Sequence, residues 1–160
     1  LILGAGGACK GILTSLAMRS PERVFIANRT LSRASRLVKA FQGKFPDVEL
    51  KSEDLKIDNL KRCLQETHLL INATTMGMEG KETVELPLES LPKDGIVSDI
   101  VYKPLDTPMI KQAESLGIKI HKGLGMLLEQ GALAFKIWTG VEAPVEVMKE
   151  ILLKKLCIKP

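Results

Sequence analysis

The chain has 160 residues, 45% hydrophobic, 26% charged and 4% aromatic, with a formal net charge of +4. That length fits one domain and leaves no room for a separate full-sized substrate domain, and the composition excludes a disordered chain or a coiled coil. So few aromatic rings exclude the stacking platforms of single-strand nucleic-acid binders, the basic residues form no long run, and no apolar run reaches the roughly 20 residues of a membrane span, so the expected partner is a small anionic molecule rather than nucleic acid or a membrane.

Short aliphatic or β-branched runs alternate with amphipathic stretches of helical length, the pattern of repeated βαβ units. Residues 1–3 are aliphatic and no Met precedes them, which reads as a strand cut part-way through. Directly after them comes Gly4-Ala5-Gly6-Gly7-Ala8-Cys9, opening a helix expected over residues 10–18. At a strand-to-helix junction such glycines allow a tight turn and bring backbone N–H groups close to a pyrophosphate, which the helix dipole also favours. A glycine-rich turn with no ligand is the bland alternative, and the third fingerprint position is Cys9 rather than Gly.

The second strand, residues 23–27, leads into Asn28-Arg29-Thr30-Leu31-Ser32-Arg33. A site for NAD would place a carboxylate here for the ribose 2′-hydroxyl, and none is present. Instead Arg29 and Arg33 sit at the start of a helix capped by Thr30, where the dipole disfavours cations. A 2′-phosphate between the guanidiniums and the Thr30 hydroxyl would resolve that conflict, against the alternative of a solvated basic helix start. Ala34, Leu37, Val38 and Phe41 give this helix its apolar stripe.

Further strands are expected over residues 48–51, 68–72, 95–100 and 118–121, making six in a doubly wound parallel sheet of Rossmann type. Asn72-Ala73-Thr74-Thr75-Met76 ends the fourth strand at the ligand-binding edge, where Asn72 either caps a loop or meets a ligand. Residues 77–92 read as a long loop of the kind that serves as a lid. Asp99-Ile100-Val101-Tyr102 ends the fifth strand, with Asp99 also readable as an Asx turn, and Thr107-Pro108 starts a helix that Gly117 ends. The helix from Gly123 to Trp138 is apolar nearly all round, which implies burial on more than one side and partners for Gln130 within it. A last helix over residues 144–156 carries Val145, Met148, Ile151, Leu152 and Leu156 as a stripe that needs a partner surface. Residues 1–140 thus form the nucleotide-binding domain and 141–160 an appended helix. Cys9, Cys63 and Cys157 lack disulfide or zinc spacing, His68 and His121 read as structural, and a reducing, cytoplasmic setting is expected.

The ordered set of the Gly4 to Ala8 turn, Asn28-Arg29-Thr30 with Arg33, Asn72-Ala73-Thr74, Asp99-x-x-Tyr102-x-Pro104 with Thr107-Pro108, and Gly123-x-x-Met126-Leu127-x-x-Gln130 through Trp138-Thr139-Gly140 resembles the C-terminal, NADP-binding half of the shikimate dehydrogenases, from Leu1 to about Leu156. The resemblance implies NADPH-dependent, reversible reduction of 3-dehydroshikimate to shikimate in aromatic amino-acid biosynthesis. It implies that Gly4, Ala5, Gly6, Gly7 and Ala8 hold the pyrophosphate, and that Asn28, Arg29, Thr30 and Arg33 hold the adenosine 2′-phosphate end. Thr74, Thr75, Met76, Ile100, Gly123, Met126 and Leu127 would line the nicotinamide and ribose side, and Tyr102 and Gln130 would reach the substrate. Thr75-Met76 departs from the Pro or Ser more usual in the family. The family's catalytic Lys and Asp belong to an N-terminal domain that would precede Leu1, so no residue here is assigned as catalytic. That domain of the same parent chain is the expected partner, with pairing to a second copy as another outlet for the last helix. A glutamyl-tRNA-reductase-like domain and a non-catalytic dinucleotide-binding module are the alternatives.

Overall fold

The computed structural model describes residues 1–79, 81 and 83–156. Among these, six parallel strands form one sheet in the order β3-β2-β1-β4-β5-β6. They are β1 (Ile2–Leu3), β2 (Arg23–Ala27), β3 (Glu49–Glu53), β4 (Leu69–Asn72), β5 (Ile96–Asp99) and β6 (Lys119–Lys122). Helices α1 (Gly7–Ala17), α2 (Leu31–Gln42), α3 (Ile57–Gln65) and α4 (Pro108–Ser115) connect strands, while α5 (Gly123–Thr139) and α6 (Val145–Lys155) follow β6.

Alternation along the strands splits the core in two. Leu1, Leu3, Phe25, Ala27 and Leu70 face one side, where Leu60 and Leu64 of α3 and Ile110 and Ala113 of α4 cover them. Ile2, Val24, Ile26 and Leu50 face the other, under Cys9 and Leu13 of α1 and Ala34 and Leu37 of α2. Each fully buried aliphatic side chain contributes roughly 1.5 to 3 kcal/mol, so both layers are needed to hold the sheet. The expected doubly wound sheet is what forms, and its order reverses between β1 and β4.

Several boundaries differ from expectation. The first helix begins at Gly7 rather than residue 10, with Gly6 as its N-cap in extended conformation, and its first-turn N–H groups have no intrahelical partner. β3 runs two residues past the expected end, in register with β2 through the pair Ala27 and Glu53. In the long connection after β4, Leu86, Leu88 and Leu91 are buried in the core and a 3-10 turn forms at Leu88–Ser90. That half is therefore a fixed strap rather than a lid; positions 80 and 82 of the connection lie outside the described residues. Helix α5 also departs from the expected burial: only Gly123 is buried, and Leu133, Ile137 and Trp138 are 60%, 70% and 82% exposed. Its apolar perimeter exceeds what β5 and α6 cover. Helix α6 packs on α5, where Met148 abuts Gly131, and has no buried residue. Cys157 lies outside the described residues.

Candidate functional site

Strand pairing aligns one row of residues across the carboxyl edge of the sheet: Glu53, Ala27, Leu3, Asn72, Asp99 and Lys122. The residues singled out by sequence leave the sheet immediately after this row, Gly4 after Leu3, Asn28 after Ala27, Thr74 two past Asn72, Ile100 after Asp99 and Gly123 after Lys122. Open α/β sheets bind ligands at this edge, beside the point where strand order reverses.

Gly4 bonds back to β2, its N–H donating to the Ala27 carbonyl at 2.7 Å. It takes φ +104°, and a Cβ there would fall 2.7 Å from Thr74 Cγ2. Only glycine lets the exits of β1 and β4 lie this close. Gly6, Gly7 and Ala8 are exposed and Ala5 is half-buried. The first turn of α1 has neither a side-chain cap nor an acidic residue, so its N–H groups remain open to an anion. Cys9 turns into the core instead, and burial pushes its thiol up to about 11, which leaves it inert.

At the end of β2, the Asn28 side chain donates to the Thr30 carbonyl at 2.9 Å. Thr30 occupies the N-cap position of α2, but its hydroxyl accepts no capping bond, contrary to the expected cap. Arg29 and Arg33 are exposed beside a first turn with no acidic residue. The acid that ends β3, Glu53, is bonded to Arg62 at 2.8 Å. A cleft of about 460 Å³ brings together Gly4, Asn28, Arg29, Thr74, Thr75 and Met76, with Lys81 and Thr83 on its wall. Thr30 and Arg33 do not line it. Lys81 and Thr83 carried no signal in the sequence, because they reach the cleft only through the path of the strap.

The turn after β4 is built on Asn72, which is buried. Its Oδ1 accepts from Thr74 N at 3.1 Å and from Thr74 Oγ1 at 2.6 Å, while its Nδ2 donates to the Met76 carbonyl at 3.2 Å. Asn72 is thus a loop cap, the bland alternative of its two readings. It also donates to Asp99 Oδ1 at 2.9 Å. Asp99 forms the Asx turn, accepting from Val101 N at 2.9 Å, and its Oδ2 accepts from Thr107 Oγ1 at 2.7 Å. Burial pushes the Asp99 carboxyl up, while the Thr107, Val101 and Asn72 donors oppose that shift. Thr107 caps α4 as expected, accepting from Ile110 N at 3.3 Å.

A second recess, of about 310 Å³, shares Thr74 and Thr75 with the cleft and continues past Ile100 to the exposed Tyr102. An ion pair between Lys103 and Glu79 at 2.7 Å spans the same two loops. Gly123 abuts the far side of β5, and a Cβ there would lie 2.5 Å from the Ile100 carbonyl oxygen. Lys122 just before it is tied to Asp106 at 2.5 Å, a bond that raises its pKa. Met126 and Leu127 are half-buried on α5. Gln130 is exposed, so the expected buried amide does not exist and its side chain stays available at the surface. Neither Gln130 nor Met126 lines the two recesses.

Sheet order, glycine turn and edge cleft define a Rossmann-like, doubly wound domain with its candidate site in the cleft beside the switch between β1 and β4. Residues 1–86 match the family model described as shikimate / quinate 5-dehydrogenase, and residues 123–153 match the shikimate 5′-dehydrogenase C-terminal domain. The chain belongs to the shikimate / quinate 5-dehydrogenase family. This sets aside the glutamyl-tRNA-reductase-like alternative. The shikimate dehydrogenase (NADP(+)) of Methanopyrus kandleri is 43% identical over 98% of this chain and 54% of its own, and that of Bacillus subtilis 38% identical over 98% and 54%. A crystal structure of the Listeria monocytogenes shikimate 5-dehydrogenase with shikimate and NAD superposes with a TM-score of 0.85 at 37% identity, covering 94% of this chain and 54% of that one. The Thermus thermophilus enzyme with NADP(H) and shikimate gives 0.77 at 35% identity, covering 97% and 54%. The chain therefore spans about half the length of the relatives it matches. No helix among the described residues is long and apolar enough to cross a membrane.

Proposed function

We propose that this chain is the NADP-binding half of an NADP-dependent shikimate dehydrogenase, which reversibly reduces 3-dehydroshikimate to shikimate. The observation that carries the reading is the convergence of Gly4, Asn28, Arg29 and Thr74 on one cleft with no carboxylate at the end of β2. The residues present fit the cofactor. Gly4 keeps the turn open, the uncapped amides of Gly6, Gly7 and Ala8 receive the pyrophosphate behind Ala5, and Arg29 with Asn28 takes the 2′-phosphate, with Arg33 and Thr30 beside it on α2.

With the phosphate end fixed at Arg29, a dinucleotide crossing the switch point directs its other end into the recess of Thr74, Thr75 and Ile100. Met76 lines the adjoining cleft, and the same side is assigned to Gly123, Met126 and Leu127 at the start of α5, which line neither recess. Bound there, the nicotinamide supplies or accepts the hydride. Tyr102 and Gln130, both exposed, are the residues this reading assigns to the substrate. The chemistry that moves the proton needs the family's Lys and Asp on an N-terminal domain of the parent chain. The exposed apolar side chains of α5 and α6 suit contact with that domain. Buried, unpaired Cys9 and Cys63 suit a reducing cytoplasm.

Titration calorimetry tests the reading. The chain alone is expected to bind NADP at least tenfold more tightly than NAD and to oxidise no shikimate. Equal affinities, or binding of neither, overturn it. In an enzyme that contains both halves, Gln130→Ala is expected to raise the KM for shikimate or lower kcat with NADP affinity unchanged; loss of NADP binding instead would remove Gln130 from the substrate side.

A further inference from the structure

Asp99 is the one Asp, Glu, Lys or Arg buried among the described residues, at 1% exposure, and no basic side chain among them pairs with it. Its neighbours are donors: Asn72 Nδ2, Val101 N and Thr107 Oγ1, the last of which already accepts from Ile110 N and so directs its own hydrogen at Asp99. The N-terminus of α4 also favours negative charge at this place. These groups hold the carboxylate without neutralising it.

An asparagine at 99 would keep the bonds from Asn72 and Val101 through its oxygen but would offer Thr107 a donor in place of an acceptor, so a Thr107→Val control separates that lost bond from the lost charge. A buried carboxylate without a cationic partner, in the row of residues at the ligand edge, is a candidate for a charge that acts on the ligand. Ile100 and Val101, next in the chain, line the recess proposed for the nicotinamide. The oxidised nicotinamide ring is a cation and the reduced ring is neutral. In a low-dielectric setting a fixed negative charge distinguishes the two over several ångströms.

Resting on that cofactor assignment, we propose that Asp99 determines selectivity between the two redox forms, its fixed charge favouring the oxidised cofactor over the reduced one. The geometry assigns it no contact with either form.

The test uses three ligands on this chain: NADP⁺, NADPH and 2′-phospho-ADP-ribose, which lacks the nicotinamide. The wild type is expected to bind NADP⁺ more tightly than NADPH, and the reverse order overturns the proposal without recourse to any variant. Asp99→Asn, checked for its fold by circular dichroism, is expected to weaken NADP⁺ by about threefold or more and to leave NADPH and 2′-phospho-ADP-ribose within about twofold. Thr107→Val removes a hydrogen bond but keeps the charge, and is expected to preserve the wild-type ratio. Equal losses for both redox forms in Asp99→Asn, or an equal collapse of the ratio in Thr107→Val, would mean that Asp99 acts through loop structure alone and would overturn the proposal. If 2′-phospho-ADP-ribose also fails to bind the wild type, the cofactor assignment falls and takes this inference with it.

Discussion

Gly4 and Thr74 lie against each other where β1 and β4 leave the sheet, so close that a Cβ on Gly4 would come within 2.7 Å of Thr74 Cγ2. The strands are adjacent in the sheet but far apart in sequence, with the whole β2, β3 and α3 excursion between them. Their contact closes the floor of the cleft at the point where the chain reverses direction across the sheet.

Gly4→Ala is therefore expected to be costly on two counts, the φ of +104° and the clash with Thr74. Strain of this kind costs on the order of 1 to 3 kcal/mol, so the midpoint of urea unfolding should fall. NADP affinity should drop with it, because relief of the clash moves the turn. Unchanged stability and affinity would show that the turn accommodates a methyl group.

Arg29 lines the cleft and Arg33 does not. Charge-assisted hydrogen bonds contribute about 1.5 to 3 kcal/mol each, so Arg29→Ala should weaken NADP by roughly tenfold to a hundredfold and leave NAD nearly untouched. Arg33→Ala should have the smaller effect. Calorimetric titration of both variants with both cofactors checks the order; equal losses for NADP and NAD would contradict it.

Burial raises the pKa of Asp99 in the folded chain above its unfolded value. Between those two values the folded state holds more protons, so the part of the stability due to Asp99 falls as pH rises through the window and levels off above the folded pKa. Asp99→Asn removes that dependence. Chemical denaturation from pH 4 to pH 7 should show the variant gaining on the wild type as pH increases, and a constant difference, or the opposite slope, would show that the folded carboxyl is not raised.

Leu133, Ile137, Trp138, Val147 and Ile151 are exposed at 60%, 70%, 82%, 52% and 55%. A surface of that kind on α5 and α6 favours self-association or loose packing when uncovered. Sedimentation should depend on protein concentration, or α6 should exchange its amide hydrogens well before the central strands. A strictly monomeric chain with α6 as protected as β1 and β4 would show that the α5–α6 contact suffices.

What could be read from residues alone was whatever depends on local chemistry. Alternation of apolar runs placed the strands near their positions, Thr107-Pro108 marked the start of α4, and the missing carboxylate after β2 pointed to a phosphate rather than a ribose hydroxyl. Helix α3 escaped, since its stripe of Leu60, Cys63 and Leu64 is short and interrupted by charged residues. What only the tertiary structure decided depends on which distant segments meet. The amide of Asn72 could serve a loop or a ligand until the sheet set it beside Asp99. Gln130 looked buried because its helix is apolar, yet nothing among the described residues covers that face. Lys81 and Thr83 reach the cleft only because Leu86 and Leu88 anchor the strap in the core. Periodicity and capping act over a few residues, whereas burial, the pairing of a charge and the walls of a cleft are properties of surfaces brought together across the fold.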